Sequence, residues 1–228
     1  MPFIANAETV ARTAMAAINP SLADKFAAVI RFLIIEPDAA SRLRGRNPPP
    51  VGSEIYIGKL AINFAVGRDH KTPEHPSTIP DEMVSFILQH YFDVPENDLE
   101  HIKREHLLSM GAENMVGHLL ERFLATHLEP QGWIWCSGSM VKAVDFIKPP
   151  ATQGGVWGML QVKNRDNSEN SSSSAIRNDT AIEKWFRTFS QRPAFNWGAF
   201  PEVSIRASLS EASFRQFVDG YLRELRHG

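Results

Sequence analysis

Asp145 and, 18 residues further on, Lys163 are the side chains whose types and spacing point most directly to chemistry. Lys163 closes the run Gln161-Val162-Lys163. Hydrolysis of a phosphodiester with a divalent metal needs hard oxygen ligands, usually carboxylates, to hold the ion at the scissile phosphate. A lysine that stabilises developing charge or orients the attacking water adds to the rate. One way to build such a centre puts an acidic residue on one strand and an acid-x-Lys pair on its neighbour. Residues two apart on a strand share a face, so Gln161 and Lys163 would face the site while Val162 turns to the core. Gln161 stands where a carboxylate is expected, and its amide oxygen can ligate a metal without bringing charge. A further carboxylate therefore has to compensate. Glu121 is the first candidate, Glu113 the second and Glu169 the third. Glu113 and Glu121 lie on the helix before the strands, Glu113 near the middle of its apolar face and Glu121 at the edge. An unpaired charge in the middle of such a face is costly.

Taken singly, each residue has an ordinary structural use. An aspartate at a strand end caps turns, a helical glutamate forms ion pairs, and Gln-x-Lys is common. The reading rests on their joint occurrence, in order, on consecutive elements. The block that follows adds to it: Asn164-Arg-Asp-Asn-Ser-Glu-Asn-Ser-Ser-Ser-Ser-Ala-Ile-Arg177. Such composition is ordinarily a solvated linker. Here it leaves directly from the candidate catalytic strand and carries arginine at both ends. Asn164, Arg165, Asn167, Asn170, Ser171, Ser172, Ser173, Ser174 and Arg177 have the side chains that contact base edges and phosphates.

The surrounding elements predict how these residues are positioned. Apolar residues at helical spacing predict helices over 7–18 and 22–35, with Pro20 between them. Glu54–Val66 alternates and predicts a strand or short hairpin. Residues 67–80 read as a loop, followed by helices near 81–92 and 96–110. A further helix over 112–128 is ended by Pro130 and Gly132. Strands are predicted at 133–135, 142–147 and 157–163. Thr180-Ala-Ile-Glu183 is a capping-box signature for a helix through Arg187. Val203–Ala207 predicts a strand, and Ser208–Glu211 caps a last helix ending near Leu225. This order predicts an α/β fold with a mixed central sheet flanked by helices. It divides into a mainly helical N-terminal subdomain at 1–110 and an α/β core at 111–228.

The 228 residues are 43% hydrophobic and 22% charged, ordinary values for a packed globular chain. No run approaches the roughly 18 apolar residues of a membrane span, and the N-terminus lacks the pattern of a signal peptide. The single cysteine, Cys136, excludes an internal disulfide and a cysteine-cluster zinc site. A cytoplasmic protein is the natural expectation. The net charge of −2 does not favour a nucleic-acid binder, although residues 1–130 carry −5 and residues 131–228 carry +3. Positive potential concentrated in a cleft is compatible with an acidic exterior.

At Lys142-Ala-Val-Asp-Phe146, and from Leu160-Gln-Val-Lys163 into the polar block, the chain resembles the SinI/AvaII group of type II restriction endonucleases. Gly117-His-Leu-Leu-Glu121 and Glu183-Lys-Trp-Phe-Arg187 extend the resemblance over most of the sequence. It implies a restriction-endonuclease-like PD-(D/E)xK core, a homodimer acting on double-stranded DNA, Mg²⁺, and cleavage within GG(A/T)CC. It also implies a companion methyltransferase that protects host DNA. Asp145, Gln161 and Glu121 would be the metal ligands and Lys163 the catalytic lysine. Val144 stands where the wider superfamily has proline, and Gln161 where it has an acid. Three other readings stay open: a structure-specific repair nuclease or junction resolvase, a non-catalytic DNA-binding protein of the same fold, and a plain interaction domain.

Overall fold

The computed structural model describes residues 3–79, 81–152, 154–166 and 182–227. The chain forms two compact units, one of residues 1–70 and 121–228 and one of residues 71–120. In the first, α1 (Ala7–Ile18) buries Ala7, Ala11 and Met15, one residue per turn. It stops at Asn19, whose extended backbone precedes Pro20 and whose side chain accepts from the Ser21 amide. α2 (Ala23–Ile35) buries eight of its thirteen residues and packs on α1.

Glu54–Val66, expected as a strand, is helix α3. Ser53 caps it by accepting from the Tyr56 amide at 3.2 Å. Tyr56, Ile57, Leu60, Ala61 and Phe64 are buried at helical spacing. The alternation that suggested a strand came from Ile55, Ile62 and Val66, which lie outside at 67%, 53% and 54% exposure. The apolar outer residues mimicked a period of two.

The sheet has four strands in the order β1 (Ile134–Trp135), β2 (Phe146–Lys148), β3 (Gly158–Arg165) and β4 (Glu183–Thr188). The first two pairings are antiparallel and β3–β4 is parallel, so the sheet is mixed, as expected. Helix was expected over 183–187, but β4 lies there with Trp185 paired to Val162 and buried. The capping-box pattern is local and carries no information about the open edge of β3, which β4 satisfies. Val203–Ala207, expected as a strand, contains instead the single turn α6 (Val203–Arg206). Helix α7 (Glu211–His227) follows.

Two cores cover the sheet. Ile134 and Ile147, with Met159 beside them, join the cluster built by α1, α2 and α3. Trp185 meets Trp197 and Phe200 on the opposite face, and Trp197 continues to Phe123 and Phe214. Large offset and edge-on ring contacts of this kind supply much of a small core's burial.

The second unit contains α4 (Glu82–Tyr91), capped by Asp81 through the Met83 amide. It also contains most of α5 (Glu96–Leu128). Two helices were expected across that range, broken near Gly111; one helix of 33 residues runs through it. Gly111 marks a close approach, since a Cβ there would lie 2.8 Å from the Glu74 carbonyl oxygen. Among the described residues no helix is long and apolar enough to cross a membrane.

Candidate active site

The site begins where β2 and β3 part. Along one face, Ile134, Ile147 and Met159 lie in register across β1, β2 and β3, all in the helical core. One step further along the same face the residues become polar: Asp145 before β2, then Gln161 and Lys163 in β3. The β2–β3 ladder ends at Phe146 paired with Leu160, and Asp145 sits just before it with its amide on the Leu160 carbonyl. Val162, between Gln161 and Lys163, turns to the other side and is buried against Trp185. The alternation expected for β3 is present.

Three hydrogen bonds fix Asp145. Its amide donates to the Leu160 carbonyl at 2.9 Å, and its carbonyl accepts from the Cys136 amide at 2.8 Å. Its Oδ2 accepts from the Val162 amide at 2.7 Å, so a side chain takes the place of a ladder acceptor. The approach to this position is unusual. Ala143 has φ of +58°, a left-handed conformation rare without glycine or asparagine. Earlier in the same connection, Gly138 has φ of +80°, and a Cβ there would lie 2.3 Å from the Asn63 carbonyl oxygen. Ser137 donates to the Phe64 carbonyl at 2.7 Å. The turn after β1 is thus pinned to the end of α3, and the chain re-enters the sheet at Asp145.

Burial pushes the Asp145 carboxyl up to about 6, outweighing the Val162 amide and the Lys163 charge, both of which pull it down. Gln161 is 5% exposed. The Lys163 charge acts on Asp145, so these two side chains are brought together, and Gln161 lies buried two residues before Lys163 on β3.

Glu121, on the last turns of α5, accepts from the Trp135 indole at 2.9 Å. Trp135 pairs with Phe146, the residue after Asp145. Cys136, buried as expected of a packing residue, feels both carboxylates. Its thiol is pushed up by burial and by the negative charge of Asp145, opposed by Arg68 and reinforced by Glu121. Both acids therefore act on one neighbourhood. Glu113 lies in the other unit and is exposed, so the apolar surroundings expected for it are absent. Glu169 lies outside the described residues. No cluster of three or more His, Cys, Asp or Glu side chains suited to a metal occurs among the described residues.

Of the expected DNA contacts, Arg165 is exposed at the end of β3. Asn164 is engaged within the fold: its Oδ1 accepts from Arg187 Nε at 3.0 Å, and its carbonyl accepts from the Thr188 hydroxyl at 2.9 Å. Arg187 also grips both oxygens of Glu211 at 2.7 Å, tying β3 and β4 to α7. Asn167, Asn170, Ser171, Ser172, Ser173, Ser174 and Arg177 lie outside the described residues. Sequence reasoning missed Trp135 as the anchor of Glu121 and the Val162 amide as the anchor of Asp145. The alternation in Trp133-Ile134-Trp135 placed Trp135 on a strand but gave no hint of its indole partner.

A cavity of about 440 Å³ lies against β1, lined by Arg68, Arg122, Glu129, Trp135 and Tyr221 among others. Asp145, Gln161 and Lys163 do not line it.

Comparison with known proteins supplies the family. The chain is 52% identical to the type II restriction enzyme SinI of Salmonella infantis over 225 residues, 98% of this chain and 97% of that one. It is likewise 52% identical to the type II restriction enzyme Eco47I of Escherichia coli over 221 residues, 96% of each. The SinI restriction endonuclease family matches residues 7–224, a span that takes in both halves of the Asp145–Lys163 pair. With this match over nearly its whole length, the chain belongs to the SinI restriction endonuclease family.

Proposed function

We propose that the chain is a type II restriction endonuclease that hydrolyses both strands of duplex DNA at a short specific site. Mg²⁺ is its metal, and GG(A/T)CC its site on the strength of the SinI/AvaII resemblance. The observation that carries the reading is the polar run of Asp145, Gln161 and Lys163 on one sheet face, in a chain of this family.

The residues suit a hard divalent cation. Their donors are oxygens, and Asp145 is a desolvated carboxylate whose raised pKa reflects too little compensating positive charge. Asp145 and the Gln161 amide oxygen would hold the ion, with Glu121 contributing directly or through water. Few carboxylates are needed, because Mg²⁺ keeps several of its waters. Bound there, the cation supplies Lewis-acid polarisation of the scissile phosphate. Lys163 presents its ammonium to the same phosphate and stabilises the charge that develops, or orients the attacking water. Water forms the new bond to phosphorus, the bond to the 3′ oxygen breaks in line, and the strand end keeps a 5′-phosphate. Arg165 and the polar block after it contact phosphates and base edges. Two copies related by a two-fold axis each read one half-site. A companion methyltransferase protects the same site in the cytoplasm of the host.

A defined plasmid digested with Mg²⁺, followed by sequencing of the ends, tests this. Discrete fragments ending in 5′-phosphates at one repeated sequence are expected. A smear or structure-dependent nicks would replace the reading with a repair nuclease or resolvase. Specific duplex retention without any strand break would replace it with a non-catalytic binder.

A further inference from the structure

Strand β4 and the turn after it bring two cations to the face that carries Gln161 and Lys163. β3 and β4 are parallel, and their paired residues share a side of the sheet. Val162 and Trp185 are paired and both buried on one side. Gln161, Lys163 and Arg165 therefore lie on the other, with Lys184, Phe186 and Thr188 as their respective partners on β4. Lys184 is exposed beside Gln161.

The second cation is placed by the chain beyond β4. Thr188 bridges to Phe195, and the Phe189 amide donates to the Ala194 carbonyl at 3.3 Å, which folds 188–195 into a short hairpin. Phe189 meets Phe186 edge-on at 5.1 Å, and the Arg192 guanidinium lies over the Phe189 ring at 3.6 Å. Pro193 restricts the backbone of Arg192 to extended conformations. Two rings thus build a support next to Lys163, with an exposed guanidinium flat on top. A guanidinium stacked this way keeps its N–H edge free for a second partner. The Asp166 carboxylate feels the Arg192 charge but accepts from the Ser190 amide at 2.7 Å. Neither Lys184 nor Arg192 is in an ion pair among the described residues.

Along the direction of the strands the two cations straddle Lys163, Lys184 level with Gln161 and Arg192 beyond Thr188. The chemistry that fits them is the phosphodiester backbone: an ammonium binds phosphate as a point charge, and a guanidinium edge binds it as a fork. We propose that Lys184 and Arg192 hold phosphates on either side of the scissile one and so position the strand over Asp145 and Lys163. The assignment rests on the nuclease reading above. Both are positioning residues, and Phe189 is the platform that aims Arg192.

The test is a binding titration of the full chain on a labelled duplex, without Mg²⁺ so that no strand is cut. It is run over an NaCl series on a GG(A/T)CC duplex and on an unrelated one. Lys184→Ala and Arg192→Ala are each expected to weaken binding about 10-fold at moderate salt, on both duplexes alike. Each should reduce the slope of log Kd against log[NaCl] by about one, and the double variant by about two. Arg192→Lys keeps the charge and should restore the slope, whereas a role in covering Phe189 alone would leave the slope at the wild-type value in every variant. Phe189→Leu should weaken binding about 2- to 5-fold with the slope retained. Circular dichroism should be unchanged for Lys184→Ala and Arg192→Ala, because both side chains are exposed. Wild-type slopes in both alanine variants overturn the proposal. So does a loss confined to the GG(A/T)CC duplex, which would make these residues readers of bases. Cleavage with Mg²⁺ is scored separately. A wild type that binds duplex with the expected slopes but leaves it intact sinks the nuclease reading and keeps the phosphate contacts, and one that binds no duplex overturns both.

Discussion

The two ends of β2 hold carboxylates in opposite conditions. Beyond its far end, Glu202 accepts from the Trp133 indole at 2.9 Å, Lys148 at 3.0 Å and the Ser204 hydroxyl at 2.8 Å. These donors pull its pKa down to about 2. At the near end, burial pushes Asp145 up to about 6 against one main-chain donor and the Lys163 charge. One acid is fully matched to the folded protein. The other is desolvated and has fewer donors, so its charged form is less well supported by the fold. Residues that stabilise a fold and residues that perform chemistry thus differ in how completely the protein satisfies them.

The largest effect that can break this contrast is on cleavage. Asp145→Asn keeps an oxygen for the Val162 amide and removes the charge, so strand cleavage should fall by at least about 10³-fold. Retained cleavage would remove Asp145 from the metal site. Lys163→Ala should lose about 10²–10³-fold while specific duplex binding persists in a gel-shift assay. Undiminished cutting would take Lys163 out of the mechanism.

Stability sharpens the contrast, with opposite signs at the two acids. Asp145 has a raised folded pKa, so its favourable contribution is present below about 4 and is lost as pH rises through about 6. Asp145→Asn should therefore stabilise the metal-free protein by about 1–3 kcal/mol at pH 8 and change little near pH 4. Glu202 has a depressed folded pKa, so its contribution is present above about 4.5 and is lost as pH falls towards about 2. Glu202→Gln should cost about 1–2 kcal/mol at pH 8, and less in acid. Denaturant melts of both variants across pH check this, and equal signs at pH 8 would dissolve the distinction. Mg²⁺ should raise the melting temperature of the wild type and not that of Asp145→Asn.

The smallest effect concerns Glu121. Glu121→Gln keeps an acceptor for the Trp135 indole, so a loss of about 10-fold in cleavage is expected if its charge serves the metal. Normal activity would make it a packing partner of Trp135 and turn attention to Glu169.

The strand placement of the candidate residues was partly legible in the chain alone. Asp145, Gln161 and Lys163 were read together from residue type and a period of two, both of which are local properties of strands. The mixed sheet followed from the succession of apolar segments and turns. The errors fell where local pattern and long-range pairing disagree. Ile55, Ile62 and Val66 put apolar residues on the outside of α3 and imitated a strand. Thr180-Ala-Ile-Glu183 carries a helix-start pattern, yet 183–188 completes β3 as its parallel neighbour. Gly111 read as a break because the Glu74 backbone that it accommodates is 37 residues away.

Sequence by itself determined which chemistry the chain is equipped for, because hard ligands and a lysine at alternate strand positions follow from side-chain type and backbone period. Only the tertiary structure decided how they are held. The Val162 amide under Asp145, the Trp135 indole on Glu121 and the left-handed turn at Ala143 join residues through space. Burial, which raises the Asp145 pKa, is likewise a property of the assembled fold.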